Sequence, residues 1–421
     1  MGLMKKNVLC LLVVLLLLTG CGNQTIIGDS SPALNTEHEK EVIVYWHTYN
    51  EKETYILENS VIPLFEQEYP SIKVKSVRQH YNNTLISEMI SRASTNRAPD
   101  IIRLNIAWTP EFAQLDLLHP LSDFEEFDDL KDQFDERLMQ SSYYNGNYYG
   151  IPLNIYTKAS IYNQDLLGSS GDANPPVTMD ELINVVEKNQ YVIGISNFSI
   201  WATLHYFYGF GGMLTDPTYS QATGYLDSEK SIAAVNKLLS FYQKGRLVTS
   251  GGLWQGILDG NFFMIDEGPW FYSSFSEEQI QSMNQKTVAA PFPIYESNRA
   301  VLGGENIVIS KAAKDKEAAW TFAKWMTNIE AQTYMAQAGL KPTNKKVELS
   351  ELYDHLPHYQ PYVDSLDDAL FLPYIPKWWE VDEIYSKYLE LIFSGSVSVE
   401  EGLTKAAQEI DLVLARERIE R

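Results

Sequence analysis

The chain has 421 residues, 45% hydrophobic and 21% charged, with 55 acidic against 33 basic residues and a formal charge of −22. That length exceeds what one core fills, so two lobes are expected, with the apolar-to-charged balance of a folded soluble protein. The acidic excess argues against nucleic acid and anionic lipid as partners, while 26 Tyr, 17 Phe and 9 Trp could line a cleft as well as fill a core.

At the amino terminus, Lys5 and Lys6 precede an almost unbroken apolar run, Val8 to Leu18. The run is too short to span a bilayer as a helix, so residues 1–20 read as a signal peptide. It closes on Leu18-Thr19-Gly20-Cys21, which resembles the lipobox of bacterial lipoproteins. That resemblance implies cleavage before Cys21, diacylglycerol on its thiol and an acylated amine such as a palmitoyl amide. An anchor in the cell membrane follows. The alternative is an ordinary secretory signal with an incidental Cys. The other Cys, Cys10, lies in the discarded segment. The mature chain then has no disulfide, and thiol nucleophiles, Cys-zinc sites and iron–sulfur clusters are excluded. Residues 21–40 are polar and aperiodic, a tether of roughly 20 residues with a coil dimension on the order of 25 Å.

The folded part begins with the strand-like Val42–Trp46. A helical pattern over Tyr55–Tyr69 is interrupted by Pro63 and stopped by Pro70, and Ile72–Lys75 alternates like a strand. Leu85, Ile86, Met89, Ile90 and Ala93 have helical spacing, and Pro99 introduces the strand Asp100–Leu104. This β-α-β-α-β order predicts a largely parallel sheet covered by helices. The acidic run from Asp123 to Asp135 reads as a solvated helix face. Tyr143–Gly150 reads as a hairpin on an Asn-Gly turn, leading into Ile151–Tyr156.

A second α/β series starts near Ser160. Thr178 and Glu181 form a capping box, and Tyr191–Ile195 is a strand candidate. A helix carries Ile232, Val235, Leu238, Leu239 and Tyr242, with Gly245 suited to its end. The run Phe262–Ile265 then meets Asp266-Glu267, a Gly-Pro turn and Trp270, which starts a helix because Pro favours the first helical position. Two acids and an indole thus fall where a strand hands over to a helix, the crevice in which open α/β sheets hold ligands. A core strand with a buried Trp is the plainer alternative. After Thr287–Pro293, Gly303-Gly304-Glu305-Asn306 feeds the strand Ile307–Ile309. A long helix carries Ala319, Phe322, Ala323, Met326 and Ile329, and Gly339 and Pro342 end it. The last helix has Leu403, Ala406, Ala407, Ile410 and Leu414 on one side.

No nucleotide loop, zincin motif or nucleophile elbow is present, and no metal or cofactor is expected. His355 and His358 have a ligand spacing, but Pro357 between them favours a surface loop. Adjacent acids such as Asp266-Glu267 or Asp382-Glu383 cannot by themselves oppose one another across a sugar.

Several segments after Glu41 resemble the extracellular solute-binding proteins of carbohydrate ABC transporters. They are Phe65-Glu66-Gln67-Glu68-Tyr69-Pro70 with Ile72-Lys73-Val74, then Ala98-Pro99-Asp100-Ile101-Ile102, and Tyr149-Gly150-Ile151-Pro152 leading to Ile161-Tyr162-Asn163. Phe210-Gly211-Gly212, Gly268-Pro269-Trp270, Gly303-Gly304-Glu305-Asn306 and Ala318-Ala319-Trp320-Thr321-Phe322 follow in order. The resemblance implies an α/β, two-lobed periplasmic-binding-protein-like fold (type II). Each lobe would be a central, mostly parallel sheet flanked by helices, with the ligand in the cleft between. Residues 41–153 with about 305–335 would form one lobe, and 154–304 with about 336–421 the other. It further implies a monomeric, non-enzymatic receptor on the extracytoplasmic face of the membrane, presenting a carbohydrate to the permease subunits of an importer.

Carried over by position, Trp270 matches a sugar-stacking Trp. Tyr156 follows the first crossing strand, and Trp201 falls where a stacking aromatic is usual. Gly304 and Glu305 lie at another crossing. Trp46 and His47 end the first strand, Trp108 follows the third, and Trp378-Trp379 are near a further stacking position. Trp46 and Trp108 are equally at home in a core. Asp266 and Glu267 are more acidic than the positions they match, and with Glu305 among the cleft acids two rivals stay open. One is a glycan-processing enzyme; the other is a receptor for a cation such as a polyamine.

Overall fold

The computed structural model describes residues 41–80, 85–95, 97–171, 174–293, 300–348, 357–366 and 368–419. The leader, Cys21, the tether and His355 lie outside them. Strands β1 (Glu41–His47), β2 (Ile72–Arg78) and β3 (Ile101–Asn105) alternate with helices, and β1 pairs in parallel with both β2 and β3. The helix expected over 55–69 is broken by a π-helical turn, Leu57–Val61, just ahead of Pro63. Proline has no N–H to give the preceding turn and its ring forbids a straight continuation. The hairpin forms as read: β4 (Tyr143–Tyr144) pairs with β5 (Asn147–Tyr148). Asn145 and Gly146 turn between them at φ 44° and 88°, the sign that a tight hairpin of right-twisted strands demands.

The chain then reaches β6 (Gly150–Tyr156), and the two residues Thr157-Lys158 carry it into a second sheet at β7 (Ala159–Asn163). That sheet is completed by β8 (Ile193–Ile195), β9 (Leu247–Thr249), β10 (Met264–Glu267) and β11 (Thr287–Ala290), in the order β11-β7-β10-β8-β9. The chain returns with β12 (Gly303–Ile309) and ends the first sheet with β13 (Lys341–Pro342), giving β13-β6-β12-β3-β1-β2. It is therefore still in the first sheet a little beyond the boundary expected near 336. Parallel ladders join β2-β1-β3 and β10-β8-β9, while the crossing strands β6, β7 and β12 pair antiparallel. The antiparallel ladders belong to strands that leave one sheet for the other and come back, so each sheet is mixed.

Helices cover both faces. On β1 the two-residue period sends Ile43 and Tyr45 into one core and Trp46 into another. The expected long helix through Ile329 is two helices, Lys316–Met326 and Ile329–Ala336, because the Asn328 side chain caps the second. The capping box at Thr178 is present. At the C-terminus, Trp378–Phe393 and Val399–Ile419 pack on the core of the second sheet, burying Leu403, Ala406, Ala407, Ile410 and Leu414 as the periodicity predicts.

Candidate functional site

A cavity of about 460 Å³ opens where strand ends of the two sheets meet. One wall is aromatic. Tyr156, the last residue of β6, lies edge-on to Trp201 (centroids 5.8 Å apart, planes at 86°) and to Trp270 (5.1 Å, 84°). The two indoles are 6.0 Å apart at 33°. Trp201 opens the helix Ile200–Gly209, whose N-terminal N–H at Ile200 donates to Asp382 at 2.6 Å. Local sequence explains how Trp270 is held. A side chain at Gly268 would place its Cβ 2.3 Å from the Trp270 ring, so only Gly lets the indole fold back there. Trp270 Nε1 then donates to Glu267 Oε2 at 2.5 Å.

Gly303 does the same for Tyr156, since a Cβ there would come within 2.2 Å of the phenol ring. Gly303→Ala should therefore cost about 1–3 kcal/mol of stability, the usual penalty for overpacking, read by urea unfolding. A variant as stable as the parent would show that the ring swings aside without cost.

The opposite side is polar and built on a buried charge pair. Arg103, on β3, donates to Glu305 on β12 at 2.6 Å, and their side chains are 5% and 6% exposed. Asn154 (2.7 Å) and the Tyr156 hydroxyl (3.1 Å) also donate to Glu305, and Arg103 Nη1 donates to Thr48 at 2.7 Å. Burial works against the charge on Arg103, but the Glu305 carboxylate, together with Tyr49, Glu53 and Tyr45 around it, outweighs it and keeps the guanidinium protonated. The Arg103 guanidinium carbon lies over the Tyr49 ring, 4.3 Å from its centroid. Glu53 accepts from the backbone and side chain of Asn50, and burial pushes its carboxyl up. Asn50 in turn reaches across the cleft to Ser273 Oγ at 3.1 Å. Trp379, 38% exposed, lines the cavity from the other side.

Residues 61–361 match the family described as bacterial extracellular solute-binding protein. The chain belongs to that family. A binding protein of Brucella abortus is 24% identical over 84% of this chain and 88% of its own. The maltotriose-binding protein of Pyrococcus abyssi is 27% identical, over 67% of this chain and 62% of its own. The solved GacH receptor of Streptomyces glaucescens superposes with a TM-score of 0.78 at 22% identity, covering 89% of this chain and 99% of that one. The two-lobed fold of such receptors is thus the fold of this chain, and the family places it outside the cytoplasm.

This solute-binding protein brings seven of the twelve expected residues to the cleft: Tyr156, Trp201, Trp270, Glu305, Trp108, Trp378 and Trp379. The other five do not line it. Gly304 is one position off, its carbonyl taken by the Ile106 N–H at 3.0 Å, and Gly303 faces the cavity instead. Trp46 is 6% exposed beneath the helix Leu85–Ala93, with the Arg92 guanidinium 5.0 Å from its ring. His47 is buried against Ser76 Oγ at 2.8 Å, and burial, with Arg103 and Arg78 nearby, lowers its imidazole to about 3. Asp266 points into the second core. There it pairs with Lys158, accepts from the Tyr206 hydroxyl at 2.9 Å and lies 3.2 Å from His205 Nε2. Burial opposes its charge, yet Lys158 and His205 hold the carboxyl well below the usual range. Glu267 acts through Trp270, as described, and burial raises it.

The sequence reading missed Arg103, Asn105, Thr48, Asn50, Glu53, Tyr374 and, as a lining residue, Asp382. Arg103 carried a signal: it is the one charge in an apolar strand, and a charge inside a core must be paired.

Proposed function

We propose that this protein is the sugar-capturing component of an ABC importer, holding an oligosaccharide in the inter-lobe cleft for delivery to the permease. The observation that carries the reading is the wall of Tyr156, Trp201 and Trp270 facing the Arg103–Glu305 floor across one cavity. A sugar has apolar C–H faces and hydroxyl edges, so rings on one side and charge-assisted donors and acceptors on the other complement it. The maltotriose-binding relative supports the same ligand class. Contacts from both lobes would favour the closed form, because only that form makes both sets.

Binding without turnover is favoured by the state of the carboxylates. Glu53, Glu305 and Asp382 line the cavity, and each accepts hydrogen bonds from the protein itself. The cationic alternative is weakened as well, since Asp266 is paired with Lys158, Glu305 with Arg103, and Glu267 is engaged by the Trp270 indole. Calorimetry over mono- and oligosaccharides, beginning with maltotriose, tests the reading. Saturable heats without product formation support it; hydrolysis products, or heats only with polyamines, overturn it.

The amino-terminal pattern supports a lipid anchor at Cys21. Cys21→Ser should abolish incorporation of labelled palmitate and release the protein from the cells, and persistent labelling would end the lipoprotein reading.

A further inference from the structure

Behind the aromatic wall lies a charge pair that touches no part of the cavity. Lys158 belongs to the two-residue segment that carries the chain from β6 into β7, the first crossing between the sheets. Its side chain is 3% exposed and that of Asp266 is 1% exposed. Charges so enclosed are costly to keep, and an apolar pair of the same volume would stabilise the lobe as well or better. Stability alone is therefore a weak reason for them.

Their neighbours suggest another. The Lys158 ammonium lies 5.3 Å from the centre of the Trp201 ring. Asp266 ends β10, the strand that leads through Gly268-Pro269 into Trp270. Its second oxygen accepts from Tyr206, on the helix that Trp201 opens, and His205, one turn along from Trp201, closes the group. The pair thus joins three things: the crossing segment, the helix bearing one indole and the strand leading to the other.

We propose that Lys158 and Asp266 are positioning residues, which fix the Trp201 ring for the ligand and tie that platform to the crossing between the lobes. The Lys158 cation is attracted to the face of the indole and limits its rotation. Asp266 holds the cation in place, so that the ring is set before ligand arrives and less freedom is lost on binding. The inference rests on the sugar-binding reading for its effect on affinity, but not for its effect on the ring.

The first test needs no ligand. In the full-length protein, the fluorescence contribution of Trp201 is the difference between the parent and Trp201→Phe. Lys158→Met should make that contribution at least twofold more quenchable by acrylamide and lower its anisotropy, and Lys158→Arg should restore both. Should Lys158→Met fail to fold, Asp266→Asn, which keeps an acceptor for Tyr206 while removing the charge, reads the same quantity. Unchanged quenching in the folded variant overturns the inference.

The second test is a double-mutant cycle on maltotriose affinity. Lys158→Met should weaken binding about tenfold in the parent and less than twofold in Trp201→Ala. Equal losses in both backgrounds would mean the pair acts independently of the ring and would overturn the inference. If the ring loosens as stated but the parent binds none of the mono- and oligosaccharides screened, the sugar reading falls and the positioning role stands.

Discussion

Glu305→Ala should destabilise the protein by about 3–5 kcal/mol, because it leaves the Arg103 guanidinium buried without its counter-charge. Arg103 keeps Thr48 and Asn154 as hydrogen-bond partners, but neither neutralises it. The loss is also expected to remove ligand binding, since Tyr156 and Asn154 lose their common acceptor. The informative companion is the double change Arg103→Met with Glu305→Met. Replacing both charges with apolar side chains of similar length should recover most of the stability and none of the affinity. Urea unfolding and calorimetry separate the two quantities. A Glu305→Ala protein unfolding at the parent's midpoint would show that the pair is not holding the floor of the cleft.

The second large effect is on binding alone. Trp270→Ala should weaken ligand binding by about 1–3 kcal/mol, taking the range known for an aromatic ring lost from beneath a stacked base. That corresponds to roughly 5- to 150-fold in affinity. The fold should survive, because Trp270 lies on the cavity rather than inside a core and its helix is only four residues long. Glu267→Gln, which keeps an acceptor for the indole, should lose much less. An unchanged affinity for Trp270→Ala, with an unchanged circular dichroism spectrum, would remove the residue from the site.

The fold was largely legible because its signals are local. Helical spacing, the Asn145-Gly146 turn and the Thr178 box each act within a few residues, and all three formed. Breaks inside helices were harder. Asn328 inside an apolar pattern reads as a neutral surface residue until its side chain is seen capping a new helix. The site was legible where chain order fixes a position near a crossing, as for Tyr156 and Trp270. It failed where the question was which face of a strand looks at the cavity. Asp266 and Glu267 are neighbours on β10, so their side chains leave on opposite sides. Adjacency made them look like one acidic feature; in the fold one binds Lys158 and the other an indole. Trp46 and His47 failed for the same reason: they end the right strand but are covered by other elements. Asn50 and Glu53 were invisible because a capping box looks alike whether its far side meets water or a second lobe.

That capping box has a further consequence. Asn50 caps its own helix and also donates across the cleft to Ser273, a contact that needs no ligand. A neutral hydrogen bond contributes about 0.5–1.5 kcal/mol net, enough to favour an empty, shut molecule by roughly two- to twelvefold. A transporter fed by this receptor would then meet some carriers that have the outline of a loaded one and nothing inside. One amide at the N-cap of a six-residue helix would thus add to that idle traffic, against which any cargo has to compete.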